Sequence, residues 1–465
     1  DDDPAAPRMA LDAKRERAVF TFAHPLARGR HVLRIAYSGR INDQAAGLFH
    51  LDHVTPQGPV RSLFTMFEDS DARRFVPSWD EPARRATFDL TAAVPAGLMA
   101  VGNMPVASTE ALPGGLQRVR FARTPPMPTY LLFFGLGDFE RVRRDVGGVD
   151  VGVIVKRGDT AQAAYALDAA ARLLPFYDAW FGTPYPLPKL DMVAGAGGSV
   201  TFGAMENWGA IFYFERDLLV DDRRATEDDR HRVFETIAHE IAHQWFGNLV
   251  TMAWWDDLWL NEGFASWMEV KAVEKLHPEW TGWPKEAGSR QRAMDIDARR
   301  GTHPVIMRID DVSQAEGAFD TITYSKGEQV VRTLEAWQGE EAFRDGVRRY
   351  IAQHAYGNTV TEDLWRALDA GAGAERPVTA IARDFTLQPG VPLLSELDAR
   401  CVDGRTLVTL AQQQFSVDAP RVARWHVPVK LAVVGGGQAR AVVEGPRPQE
   451  VAVPGCGPLV INAGQ

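Results

Sequence analysis

"HEIAHQWFGNLVTMAWWDDLWLNEGFASW", residues His239–Trp267, holds two histidines four apart, a glutamate after the first, and another glutamate further on. On an α-helix, residues four apart project from one face, so the rings of His239 and His243 converge on a single point. An ion held there would lie about 2 Å from each ring nitrogen, as zinc requires. Glu240 stands beside the pair, placed to take a proton from water activated by the ion. A catalytic zinc keeps one position open and needs a third protein ligand, preferably a carboxylate. Eighteen residues separate His243 from Glu262. A second helix beginning near Asn261 and packed antiparallel to the first would bring Glu262 to the same point. The expected cofactor is therefore one Zn2+ per chain on His239, His243 and Glu262. The bland alternative is an amphipathic helix that happens to carry two imidazoles, and the downstream glutamate on its own helix argues against it. Trp245, Trp254, Trp255, Trp259 and Trp267 read as core packing. Asp256 and Asp257 read as caps or supports rather than ligands, and no carboxylate partner for a ligand imidazole is assigned.

The surrounding chain of 465 residues is 45% hydrophobic and 24% charged, an ordinary globular composition with room for two to four domains. Its net charge of −10 comes without any lysine/arginine cluster, which argues against nucleic acid and anionic membranes as partners. No apolar run is long enough to cross a bilayer; "YLLFFGLGDF" (Tyr130–Phe139) reads as a buried strand. Two cysteines, Cys401 and Cys456, fit either one disulfide between neighbouring strands or two buried thiols. The chain starts at Asp1 without methionine, so either an upstream segment has been removed or this is an arbitrary boundary. With the cysteine pair, this leans toward a periplasmic or secreted protein over a cytoplasmic one.

Residues 1–146 alternate in short runs such as "RAVFTFAHPL", "HVLRIAYSG" and "ATFDLTAAVP", parted by turn residues, and read as a β domain. Helical periodicity dominates residues 147–388, beginning with Thr160–Gly182, which ends in glycine. Before the zinc motif, Thr226 with Asp229 predicts a helix N-cap, and Gly247-Asn248 predicts its stop. Alternation returns over 389–465, with "VDG" and "VGGGQ" as hairpin turns.

Several separated blocks, taken with the zinc motif, resemble the aminopeptidase N family of zinc metallopeptidases, which are gluzincins. "GAMENWG" (Gly203–Gly209) matches that family's exopeptidase signature, and "FDTITYSKG" (Phe319–Gly327) its tyrosine block. "DARRFVPSWDEP" and "YPLPKLD" are further similar stretches, so the likeness spans nearly the whole chain. The resemblance implies a multidomain α+β protein: an N-terminal β-sheet domain, a thermolysin-like, mostly helical catalytic domain, and a small C-terminal β-sandwich. It implies a peptide hydrolase acting on chains with a free N-terminus. Glu206, which alone would read as surface, would bind the substrate's α-amine, together with Glu68. Gly203, Ala204 and Met205 would align the substrate as an extra strand. Tyr324, otherwise a plain core or surface residue, would hydrogen-bond the oxyanion. Glu240 would deprotonate the water and pass the proton to the leaving amine.

Three departures from the family pattern stand out. Met66 occupies a position where the family commonly has glutamine lining the first specificity pocket, so an apolar first residue is expected to be favoured. The N-terminal β domain reads as short at its start, which would leave a sheet edge exposed. The chain ends at "PLVINAGQ", where many relatives continue into a helical domain. The competing readings are another zinc hydrolase on this scaffold, an endopeptidase or epoxide hydrolase, and a non-catalytic binding module.

Overall fold

The computed structural model describes residues 7–55, 58–199, 202–280, 286–372, 376–418 and 423–463. The N-terminal part is all β. A hairpin of β1 (Arg8–Asp12) and β2 (Arg17–Thr21) precedes β3 (Gly47–Thr55), β4 (Gly58–Met66), β5 (Thr91–Pro95), β6 (Met99–Gly102), β7 (Val106–Leu112), β8 (Leu116–Phe121) and β9 (Phe134–Gly137). These form a four-stranded sheet in the order β3-β4-β9-β6 and a three-stranded sheet in the order β5-β8-β7. Val94, Val119, Phe121, Phe134 and Leu136 pack in a small core of their own.

Two strand expectations need correction here. His31–Gly39 forms no strand; Val32 is 80% exposed and Tyr37 55%. Its alternation has no hydrogen-bonding neighbour among the described residues, and a strand without a ladder partner gains nothing over coil. Tyr130–Phe139 is buried, as read, but is broken into a 3-10 turn at Thr129–Leu131, then β9, then the start of the next strand.

The middle part is built on a five-stranded mixed sheet of β10 (Phe139–Val146), β11 (Val149–Lys156), β12 (Lys189–Gly195), β13 (Ala204–Met205) and β14 (Ala210–Phe214), ordered β10-β11-β12-β14-β13. The position 146/147 falls in the turn of the β10–β11 hairpin. Helix α1 (Ala164–Phe181) follows a 3-10 turn at Thr160–Ala163 and stops at Gly182, whose φ of 66° is a left-handed C-cap.

Helix α2 (Glu227–Ala242) begins at the expected cap: the Thr226 side chain accepts from the Asp229 amide, and the Asp229 carboxylate accepts from the Thr226 amide. It ends earlier than Gly247-Asn248. After Ala242 the Gln244 and Trp245 amides tighten onto carbonyls three residues back, and the Asn248, Leu249 and Val250 amides then reach carbonyls five residues back, so the unbroken α-helical ladder stops at Ala242. Val250–Met252 (β15) then pairs in parallel with Gly357–Thr359 (β16) before the chain turns back. Helix α3 (Trp259–Leu276) starts two residues earlier than Asn261, because a 3-10 turn at Trp255–Asp257 leads straight into it.

Helices α2 and α3 run antiparallel: His243 and His239 meet Glu262, His239 also meets Glu269, and Phe234 packs on His277. Trp245, Trp255, Trp259 and Trp267 are fully buried in the main core and Trp254 partly so, which matches their reading as packing. The remaining described helices are α4 (Ala287–Asp297), α5 (Gly327–Gln338), α6 (Glu340–His354), α7 (Thr361–Ala372) and α8 (Thr379–Leu387).

The C-terminal part places β17 (Val391–Val402), β18 (Arg405–Phe415) and β21 (Gln449–Pro454) in one sheet. A second sheet has β19 (Val427–Val433) between β20 (Gln438–Val443) and β22 (Leu459–Ile461). Val408, Leu410, Val429, Leu431 and Val453 fill the space between the two sheets, making a β-sandwich. Of the two readings for the cysteines, the structure takes the disulfide: Cys401 is bonded to Cys456. No described helix is long and apolar enough to cross a membrane.

One backbone contact ties the fold to the site. Gly263 on α3 faces Gly327 at the start of α5, and a Cβ on Gly263 would meet the Gly327 carbonyl carbon at 3.0 Å and its Cα at 3.1 Å. Only hydrogen at this crossing lets the segment before α5 lie against α3. Gly263→Val is expected to cost about 2–3 kcal/mol through overpacking, read as a lower midpoint in denaturant unfolding.

Candidate active site

Sheet, helices and N-terminal domain converge on a cluster of buried ionisable side chains. The Nε2 atoms of His239 and His243 lie 3.2 and 3.4 Å from the same oxygen, Oε2 of Glu262. Tetrahedral ligands at zinc bond lengths would stand about 3.3 Å apart, so this donor set fits the ion. Each imidazole is held by its other nitrogen. His239 Nδ1 donates to Glu269 at 2.7 Å, and His243 Nδ1 donates to the Phe246 carbonyl at 3.0 Å. Those two bonds fix the tautomer that leaves Nε2 free for a metal. Glu240 is buried one residue from His239, with its Oε2 unpaired.

The sequence "GAMENWG" forms the edge of the five-stranded sheet. β13 pairs antiparallel with β14, Ala204 opposite Tyr213 and Met205 opposite Phe212. The Gly203 carbonyl accepts from the Phe214 amide at 3.0 Å, inside the sheet. By strand alternation, the N–H and C=O of Ala204 then face the free edge. Glu206 follows, buried at 3% exposure, and its carboxylate, that of Glu240 and a ring nitrogen of His243 lie within 4.8 Å of one another. Its backbone is pinned from below: Asn248 Nδ2 donates to the Glu206 carbonyl at 2.7 Å and Gln244 Nε2 at 3.3 Å. Asn103 of the N-terminal domain donates to the Trp208 carbonyl at 3.0 Å.

The same domain contributes Glu68, just beyond β4. Met66, the last residue of that strand, is half-buried against the main core, and Met205 is fully buried. Glu68 Oε1 and Glu206 Oε1 are both buried without a hydrogen-bond partner. Tyr324 lies on a π-helical turn, Ile322–Lys326, that leads into α5. Its ring is 6.3 Å from that of His239 and nearly parallel to it.

Burial and crowding set the charges of this cluster when no cation is bound. Burial, then repulsion from Glu206 and Glu262, pushes Glu68 well above the usual carboxylate range. Burial pushes Glu206 up too, and pushes Glu240 up to about 8, the two histidines pulling the other way. Burial opposes charge on His243, but Glu206 and Glu262 raise it to about 9. Glu262 is disfavoured by burial yet held down at about 2 by His243 and His239. Burial, then the nearby Glu262, Glu68 and Glu206, keeps the Tyr324 phenol protonated, so it is a donor.

Sequence comparison matches residues 2–131 to the peptidase M1 N-terminal domain and residues 165–385 to the peptidase family M1 domain. The chain belongs to peptidase family M1. Among its M1 relatives is Aminopeptidase M1 of Arabidopsis thaliana, 38% identical over 429 residues, covering 92% of this chain and 48% of the relative. Aminopeptidase M1-B of Oryza sativa subsp. japonica is 40% identical, covering 89% of this chain and 46% of the relative. The alanine/arginine aminopeptidase of Saccharomyces cerevisiae is 39% identical, covering 82% and 44%. The chain thus spans about half the length of these M1 relatives.

One functional residue escaped the sequence reading. Glu269 is the carboxylate that fixes the ring of His239, and it stands seven residues after Glu262, two turns along the same face of α3. That spacing was available as a signal. Asp256 and Asp257 do other work: Asp256 accepts from the Ile309 amide, and Asp257 from the Thr361 hydroxyl at 2.5 Å.

Two outcomes follow for metal binding. Glu269→Gln is expected to weaken zinc affinity about 10–100-fold, measured by competition with a chromogenic chelator. Because His243 is raised to about 9 in the cation-free site, zinc must displace a proton below that pH. His239 is raised well above its usual value too, so apparent zinc affinity is expected to rise with pH through neutrality, in the same competition measurement across pH.

Proposed function

We propose that this chain is a zinc-dependent aminopeptidase that removes the N-terminal residue from peptides, favouring an apolar first residue. The observation that carries this reading is the pair Glu206, buried, and Glu68, half-buried, each with a buried oxygen that has no partner, close to the His239–His243–Glu262 cluster. A cluster able to hold zinc supports hydrolysis in general. Two orphan acceptors beside it call for a ligand bringing several N–H donors and a positive charge, and an α-ammonium supplies both. The family membership and the names of the relatives support the same reading. We take residues 147–388 as the catalytic unit, flanked by 1–146 and 389–465.

His239, His243 and Glu262 would hold one zinc ion, whose bound form supplies Lewis-acid polarisation of water and of the scissile carbonyl. Glu240 takes the proton from the attacking water and delivers it to the leaving amine. The Tyr324 hydroxyl donates to the developing oxyanion, a contribution typically worth about 3 kcal/mol. Ala204 presents its free-edge N–H and C=O to the substrate backbone. Glu206 and Glu68 hold the α-ammonium, which sets the cut one residue from the amino end. Met66 lines the pocket for that residue and offers it a thioether rather than an amide.

The test compares an aminoacyl fluorogenic amide with its N-acetyl twin. Turnover is expected for the free amine alone, abolished by chelator and restored by Zn2+; equal cleavage of the acetylated form would refute amine recognition. Glu206→Ala is expected to lower kcat/KM about 100-fold, the scale of a charged hydrogen bond, with zinc content unchanged. Loss of the metal in that variant would mean that Glu206 is a ligand instead.

A further inference from the structure

The sequence "GTHP", Gly301–Pro304, has no part in the chemistry described so far, yet its two central side chains reach both ends of the turn that carries Tyr324. At the leading end stands Asp320. Its Oδ1 accepts from the amides of Ile322 at 2.9 Å and Thr323 at 3.1 Å, and its carbonyl accepts from the Tyr324 amide at 3.0 Å. One residue thereby receives three successive N–H groups at a helix start, where such groups otherwise lack partners. Its other oxygen, Oδ2, accepts from His303 Nε2 at 2.8 Å, and His303 Nδ1 donates to the Pro304 carbonyl at 2.8 Å. Carboxylate and carbonyl can only accept, so this setting favours the ring that carries a proton on both nitrogens. The hydrogen bond to Asp320 accordingly raises the affinity of His303 for its proton, against a smaller opposing effect of burial.

The trailing end is tied through the preceding residue. Lys326 Nζ pairs with Asp297 Oδ2 at 2.8 Å, and Asp297 Oδ1 accepts from the Thr302 hydroxyl at 2.9 Å and from the Gly390 amide at 2.7 Å. Consecutive residues, Thr302 and His303, thus brace the two ends of a π-helical turn. A π turn is wider than the α-helix it interrupts, here with the Gly327 amide reaching the Ile322 carbonyl, and it needs outside bonds to hold one geometry. None of these bonds goes to His239, His243, Glu262, Glu240, Glu206 or Glu68.

We propose that His303 and Asp320 are positioning residues that hold the Tyr324 hydroxyl at the zinc cluster, acting on the reaction only through Tyr324. The inference rests on the reading of Tyr324 as the oxyanion donor, and a double-mutant cycle separates the two. The protein is the full chain in its zinc-loaded form, the substrate the free-amine fluorogenic amide, and the readouts are kcat, KM and zinc content.

Tyr324→Phe is expected to lower kcat about 100-fold. His303→Ala is expected to lower kcat about 10-fold, with KM and zinc content within about twofold of the parent, since a small misplacement of a catalytic group is felt mainly in the transition state. The double variant is expected to match Tyr324→Phe alone within about twofold. His303→Gln, which keeps an N–H for Asp320, is expected to recover most of the lost rate. A double variant about tenfold slower than Tyr324→Phe would overturn the inference, because His303 would then act elsewhere; so would a His303→Ala enzyme with parental kcat. Full kcat in Tyr324→Phe would sink the reading of Tyr324 and this inference together. If His303→Ala fails to fold, His303→Gln carries the same cycle at smaller amplitude, and a rate defect that persists in the Tyr324→Phe background overturns the proposal.

Discussion

The carboxylate of Glu262 sits between two imidazoles, and most of the catalytic fold can be understood as the means of keeping it there. His239 lies in the last turn of α2 and His243 caps its C-terminus, while Glu262 occupies the first turn of α3. A helix end and a helix start can face one point only if the helices run antiparallel and the connection covers the distance between them. The connection does so by pairing β15 with β16, a remote segment, and by stacking Phe246 on Phe264 with centroids 4.2 Å apart. Buried charges gathered this closely are costly unless each is answered, and within the cluster they answer one another: imidazoles on one side, carboxylates on the other. Burial raises Glu240 while the two imidazoles hold Glu262 down, so two chemically identical side chains differ widely in proton affinity.

The N-terminal domain is part of the site as well as a neighbour of it. Arg85 passes from that domain into the catalytic one and donates to the Thr251 hydroxyl at 2.7 Å, the Gly357 carbonyl at 3.0 Å and the Asn248 carbonyl at 3.0 Å. Burial lowers its pKa to about 10. Asn248 in turn holds the Glu206 backbone, and Asn103 holds the far end of the same loop. Short polar chains of this kind satisfy backbone groups that a sharply turning, buried loop cannot pair internally. They also mean that the distance between Glu68 and Glu206, one from each domain, is set by how the domains dock.

How much of this was legible in the sequence depended on range. The helix that carries the histidine pair was legible because four-residue spacing is a local property, and so was its start, because Thr226 and Asp229 cap within one turn. Burial of the tryptophans followed from their size. The end of α2 was misplaced because Gly247 looks like a C-cap, while the chain has already tightened into three-residue bonds at Gln244 and Trp245. His31–Gly39 misled for the complementary reason: alternation marks the ability to be a strand, and a strand also needs a neighbour. Glu269 lay at a two-turn repeat from Glu262, a signal the reading passed over, and only the fold shows that it meets His239.

What the sequence determined by itself was the chemistry on offer: a histidine pair with its glutamate on one helical face, a third ligand at a fixed remove, and, through family resemblance, the residues that could read an amino terminus. Those depend on residue type and on periodicities that the backbone enforces everywhere. What only the tertiary structure decided was which side chains complete each other across the fold. Glu269 orients His239, Ala204 rather than Gly203 faces the open edge, and Gly263 meets Gly327 so that Tyr324 can approach the cluster. Asp320 and His303, seventeen positions apart, join at the base of that tyrosine's turn. Such pairings rest on packing and on the need to satisfy buried polar groups, and both are properties of segments brought together in space rather than of any one segment alone.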